Sequence, residues 1–173
     1  MFIPQVVNSI TESLEELYHM GFRNLTVTNM EPVGCLPLAT QSGNYQSCNR
    51  SANEILSIYH NKLLKVHLVS LKEKYANASF IVIDMYSTFI DVIQDAIFTL
   101  RPCCEGINAS SCGDVDDQGN LLYKVCSRPH SSLFWDTVHP TDAGWEAIIK
   151  ALRYSYISKR NESLDVDMGD SRG

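Results

Sequence analysis

The sequence predicts an α/β protein with parallel strands. Three observations carry that prediction. Apolar residues at helical spacing alternate along the chain with short β-branched runs. The run at residues 80–83 is apolar at every position, as a strand covered on both faces must be. The order helix, strand, helix, strand, helix, loop, helix puts a helix between the strands, which calls for parallel pairing through right-handed crossovers. With 173 residues at 45% apolar composition, the chain can bury the core of one ordinary domain, set at residues 1–160.

Each element has its own signal. Val6, Ile10, Leu14 and Leu17 recur at helical spacing, and Gly21 ends that helix. Leu25-Thr26-Val27-Thr28 reads as the first strand. Pro32, Gly34 and Pro37 open a loop that runs through Gly43 and Asn44. Ser51 and Glu54 have the spacing of a capping box, and the helix they start reaches Tyr75 with an apolar stripe of Ile55, Ile58, Leu63, Val66 and Val69. Residues 80–83 form the second strand. Thr88 and Asp91 cap a third helix built on Phe89, Val92, Ile93, Ala96 and Ile97. Residues 101–133 form a long loop rich in Cys, Gly, Asn, Ser and Asp, and loops of that length are functional or cross-linked. The last helix begins near Thr141 and carries Trp145, Ile148, Ile149 and Leu152, with Trp145 expected against the sheet. Residues 161–173 read as a polar, disordered tail. Two strands are few for a doubly wound sheet, so the reading places the missing strands ahead of Met1.

Composition excludes several classes. The net charge of −6 and the lack of a basic cluster argue against nucleic-acid partners. The most apolar stretch, residues 80–97, is interrupted by Asp84, Asp91, Gln94 and Asp95, so it is no integral membrane span. Six cysteines, Cys35, Cys48, Cys103, Cys104, Cys112 and Cys126, are an even set that reads as disulfides, with about 15 pairings open. Sequons stand at Asn49, Asn77, Asn108 and Asn161, and a further one at Asn24 lies at the edge of a strand. Both features suit a secreted glycoprotein, yet no signal peptide opens the chain. The expectation that follows is a natural N-terminus further upstream.

The chemistry concentrates in Phe134-Trp135-Asp136-Thr137-Val138-His139-Pro140-Thr141. An acid three residues before a histidine, just ahead of a helix, can serve as the acid and base that activate a serine. The histidine takes the hydroxyl proton, and the carboxylate fixes the ring tautomer. Taken alone, Asp-x-x-His also fits a polar surface loop. Trp135 either walls an acyl pocket or anchors the loop. Asp114, Asp116, Asp117 and Gly119 start like a calcium loop, but Val125 stands where that loop needs a glutamate. No Cys-x-x-Cys pair suggests zinc. No metal or cofactor is expected. His19, His60, His67 and His130 are expected at the surface or an interface.

The block around Asp136 and His139 resembles the last motif of the plant GDSL esterases and lipases, of the SGNH hydrolase superfamily. Pro32-Val33-Gly34-Cys35-Leu36-Pro37 resembles that family's Pro-x-Gly-Cys-x-Pro loop. Cys103-Cys104, Cys112 and Cys126-Ser127-Arg128-Pro129 resemble its cysteine-rich segment. The three motifs lie in family order. The resemblance implies a three-layer α/β/α fold with a parallel sheet, here without the N-terminal strands. It also implies hydrolysis of carboxylic esters or lipids through a serine acyl-enzyme, with Asp136 and His139 as triad acid and base. The family's Gly-Asp-Ser nucleophile block and Gly-x-Asn-Asp oxyanion block find no match here. Gly169-Asp170-Ser171 spells the letters, but in the tail with no strand before it. This chain alone is therefore expected to be inactive. The alternatives are a non-catalytic truncated product or a secreted, disulfide-bonded module that binds lipid or glycan.

Overall fold

A computed structural model of the chain describes residues 2–94, 98–108 and 110–167, with side chains described as far as Tyr154. The backbone falls into two compact units, residues 1–90 and 91–173.

In unit 1, α1 (Ile3–His19) starts with Pro4 in its first turn, where a missing N–H costs nothing. It stops at Gly21, whose φ of +104° only glycine adopts freely, while the Phe22 amide returns to the Leu17 carbonyl. β1 (Asn24–Thr28) pairs in parallel with β2 (Ser79–Ile83), Leu25 beside Phe80. Val7 and Leu14 of α1 and Leu64, Leu68 and Leu71 of α4 (Tyr59–Lys74) close over Leu25 and Phe80 as one apolar core. The mixed α/β class with parallel strands expected from the sequence is therefore what the chain adopts. Both helices pack on the Phe80 side, so the other face of β2 is open and Ile81 remains 48% exposed; Val82, on the Phe80 face, is itself 41% exposed, so β2 is not covered throughout.

After a short helix, α2 (Pro37–Thr40), the helix leading into α4 departs from the sequence reading. Its cap is Asn49, not Ser51: the Asn49 side chain accepts the Ala52 amide, and Glu54 pairs with Arg50 instead. The chain then passes from α3 (Arg50–Ala52) through a π-helical turn (Asn53–Ile58) into α4. That wider turn shifts the helical phase. The buried line becomes Asn53, Ser57, His60, Leu64, Leu68 and Leu71, and Ile55, Val66 and Val69 face solvent. His60, expected at the surface or an interface, is buried with Nδ1 on Asn61 Oδ1.

The boundary between units falls within α5 (Met85–Gln94). Its cap is Asp84, which accepts the Ser87 amide, four residues before the expected cap Thr88. Ala96 and Ile97 lie outside the described residues. In unit 2, the long loop contains a small antiparallel pair, β3 (Cys104–Gly106) with β4 (Tyr123–Val125), and a 3-10 turn at Pro129–Ser131. The six cysteines form Cys35–Cys48 in unit 1 and Cys103–Cys126 and Cys104–Cys112 in unit 2. α6 (Asp142–Asp167) buries Ile148, while Trp145, expected to pack inward, is 44% exposed. The helix continues through residues 161–167, the first part of the polar tail. Gly169-Asp170-Ser171 lies outside the described residues. Among the described residues no helix is long and apolar enough to cross a membrane.

Candidate active site

The site grows from a tight hairpin at the head of α6. Residues 133–135 run antiparallel to 139–141: the Trp135 amide donates to the His139 carbonyl at 2.7 Å and the Thr141 amide to the Leu133 carbonyl at 2.9 Å. Leu133 and Phe134 are fully buried and anchor one arm. Thr141 ties the other arm to the helix. Its hydroxyl donates to the Ser132 carbonyl at 2.6 Å and accepts the Gly144 amide at 2.9 Å. Thr141 is thus the cap of α6. Gly144 lets the helix approach, since a Cβ there would stand 2.2 Å from the Leu133 carbonyl oxygen.

The turn of this hairpin brings Asp136 and His139 together. His139 Nδ1 lies 2.8 Å from Asp136 Oδ2 and 3.0 Å from Oδ1. A carboxylate only accepts, so Nδ1 carries the proton and the neutral ring keeps its lone pair on Nε2. Asp136 Oδ1 also accepts the Val138 amide at 2.9 Å and the His139 amide at 2.8 Å. Burial pushes the Asp136 carboxyl up, but those two amides and the His139 ring outweigh it and hold the group below its ordinary value. The pair is unevenly exposed: the histidine side chain is 74% accessible and the aspartate 24%. The carboxylate is fixed and the ring is presented outward. That arrangement can orient an imidazole and stabilise its protonated form while Nε2 handles a proton of another group.

Beside the hairpin lies a cavity of about 450 Å3 walled by Pro129, His130, Trp135, Pro140 and Ala143. Trp135 lines this cavity, and its amide takes part in the hairpin ladder. The Asp116 carboxylate is turned on its own loop, accepting the Gln118 and Asn120 amides, as a solvated turn does. Among the described residues, no three His, Cys, Asp or Glu side chains gather as a metal site.

The other sequence-predicted positions fall elsewhere. Asn49 is exposed but uses its side-chain oxygen as a helix cap. Asn77 is exposed on the turn after α4 and accepts the Tyr18 hydroxyl. Asn108 is exposed at a φ of +51°. Asn161 lies on α6 beyond the described side chains. Sequence reading missed Gly144 and the double role of Thr141. The only signal was Thr-x-x-Gly at a helix start, which names a cap but not the carbonyl it approaches.

An aspartate fixed on a histidine ahead of a helix is an arrangement that recurs among hydrolytic enzymes. The comparisons are narrower. The family model described as GDSL-like lipase/acylhydrolase matches residues 2–152, and the chain belongs to that family. It is 33% identical over 164 residues to a GDSL esterase/lipase of Arabidopsis thaliana, covering 89% of this chain and 45% of that protein. A second Arabidopsis thaliana GDSL esterase/lipase is 32% identical over 161 residues, covering 87% and 45%. A third protein of that plant, named inactive GDSL esterase/lipase-like protein 25, is 31% identical over 144 residues, covering 81% and 33%. The chain thus spans less than half the length of these relatives.

Proposed function

We propose that Asp136 and His139 are the acid and base of a serine-type site that hydrolyses carboxylic ester or lipid substrates. The observation that carries this reading is the 2.8 Å contact of His139 Nδ1 with a carboxylate already held by two backbone amides. In it, His139 Nε2 takes the proton of a serine from a Gly-Asp-Ser block as the oxygen attacks the ester carbonyl, then returns it to the leaving alcohol. Water repeats the cycle on the acyl-enzyme. Neither that serine block nor the Gly-x-Asn-Asp oxyanion donors stand ahead of the hairpin in these 173 residues. The chain by itself is therefore inactive, and no cofactor takes part. Its setting is extracellular, favoured by three disulfides and by sequons at Asn49, Asn77, Asn108 and Asn161.

The test is hydrolysis of p-nitrophenyl butyrate. The chain alone is expected to release nothing above buffer. Co-expressed with the N-terminal half of the 33% identical relative, it is expected to turn over, and His139→Gln or Asp136→Asn is expected to lower that rate by about 10²-fold or more. A pair equally active with His139→Gln sinks the assignment. A pair that folds together and stays inactive favours the second reading, a non-catalytic secreted module. The likeness to a relative named inactive supports that alternative.

A further inference from the structure

Asp136 sits one residue beyond a backbone ribbon that ends at two adjacent half-cystines. Thr99 bridges Ser132 in parallel. Further along the same pair of segments, the Cys103 amide donates to the Phe134 carbonyl at 2.9 Å and the Cys104 amide to the Trp135 carbonyl at 2.6 Å. Residues 99–104 therefore flank the arm 132–135 on one side, as residues 139–141 flank it on the other. The segment 99–104 has no helix of its own to fix it. Besides those two amides, the pairing of Cys104 in β3 and the buried Leu100, it is tied down by two covalent links: Cys103 to Cys126, whose amide also donates to the Cys103 carbonyl at 2.7 Å, and Cys104 to Cys112. Both Cys103 and Cys104 are buried, at 2% and 1% exposure. A cross-link removes freedom from the open chain. Here the freedom removed is that of the strip against which the residues just before Asp136 are registered.

We propose that the Cys103–Cys126 and Cys104–Cys112 bridges are positioning elements for the aspartate–histidine pair: they hold residues 99–104 against Phe134 and Trp135 and thereby set Asp136 opposite His139. This rests on reading that pair as acid and base, but its test needs no catalysis. The competing expectation is that the turn closes by itself, because Asp136 and its partners span only four residues.

The 173-residue chain is compared with the Cys103→Ser/Cys126→Ser double variant, and with Cys35→Ser/Cys48→Ser as the control. The readouts are amide hydrogen exchange at Val138 and His139 and the titration midpoint of the Asp136 carboxyl carbon by NMR. The clamp predicts exchange at both amides faster by about tenfold or more and an Asp136 midpoint that climbs toward the ordinary aspartate value. The Ile148 amide of α6 stays protected, and the control leaves all of these unmoved. Unchanged exchange and an unchanged midpoint overturn the proposal. If the first variant also loses protection at Ile148, Cys104→Ser/Cys112→Ser carries the same test. If both variants unfold α6, the bridges hold the whole unit rather than the pair, and the proposal fails. Because ester hydrolysis is not measured, failure here leaves the proposed reaction standing, and failure of the reaction leaves the clamp standing.

Discussion

The loop at residues 32–37 in unit 1 and the hairpin at 132–141 in unit 2 are alike in outline. Each contains proline, each lies near a disulfide, and each depends on a glycine that lets backbone meet backbone. A Cβ on Gly34 would stand 2.1 Å from the Asn49 carbonyl oxygen, much as one on Gly144 would stand 2.2 Å from that of Leu133. The means of support differ. The first loop hangs on side chains: Asn53 Oδ1 accepts the Gly34 amide at 2.7 Å, and Ser57 accepts the Val33 amide and donates to the Glu31 carbonyl. The second is chiefly a backbone ladder, backed by covalent links one segment away. Unit 1 thus holds its loop with polar side chains reaching from a helix face, and unit 2 holds its turn with side chains of the turn itself, Asp136 and Thr141, beside the backbone ladder. The residues most exposed to change in unit 2 are its glycine, its cap and its cysteines.

The sharpest way to break this contrast is to truncate the apolar core of unit 1. Phe80→Ala is expected to cost about 3–5 kcal/mol, read as a lower urea midpoint by far-UV circular dichroism. The two tryptophans, Trp135 and Trp145, lie in unit 2, so their emission should move less. Coincident shifts would mean that the units unfold as one. Next in size, Gly144→Ala is expected to destabilise unit 2 by about 1–3 kcal/mol, because the clash is with backbone that cannot step aside. Its tryptophan-monitored midpoint falls, and an unchanged midpoint would mean that α6 can lift off the hairpin freely. Thr141→Ala removes the cap and the tie to Ser132 and should cost about 1 kcal/mol, with Thr141→Ser recovering most of it in the same melt.

The smallest effect is one of pH. Asp136 is depressed in the folded chain, so its contribution is fully present above the ordinary aspartate value and is lost as pH falls through its own lowered value. Unit 2 should therefore loosen on acidification in that window. Asp136→Asn should flatten this part of the stability profile, and a variant with the same acid limb as the parent would count against the hydrogen-bonded carboxylate.

Much of this was legible in the sequence. The period of Val6, Ile10 and Leu14 and the β-branched runs gave the elements, and Asp-x-x-His before a helix gave the pair. What the sequence concealed has physical causes. The buried line of the long helix begins with Asn53, Ser57 and His60, polar groups that a hydrophobicity pattern passes over, and the π turn then shifts the phase for Leu64 and Leu68. Asn49 and Asp84 took the capping roles assigned to Ser51 and Thr88, because a cap is decided by which residue leaves helical geometry, and spacing alone does not say. The cysteine pairing depends on the antiparallel meeting of β3 and β4, which three-residue strands do not announce.

Adjacent half-cystines also bear on how the chain is made. Cys103 and Cys104 seek Cys126 and Cys112, and exchanging those partners changes each loop by a single residue. Loop length therefore gives the oxidising chain almost no preference between the two connectivities. Selection falls to the order of events: if β3 meets β4 first, Cys104 is set opposite Val125 and the observed bridges follow. If oxidation comes first, a share of molecules closes the other way and must be reshuffled by thiol exchange, a matter of seconds to hours. Yield of the correctly bridged isomer should thus track the presence of a disulfide isomerase during synthesis.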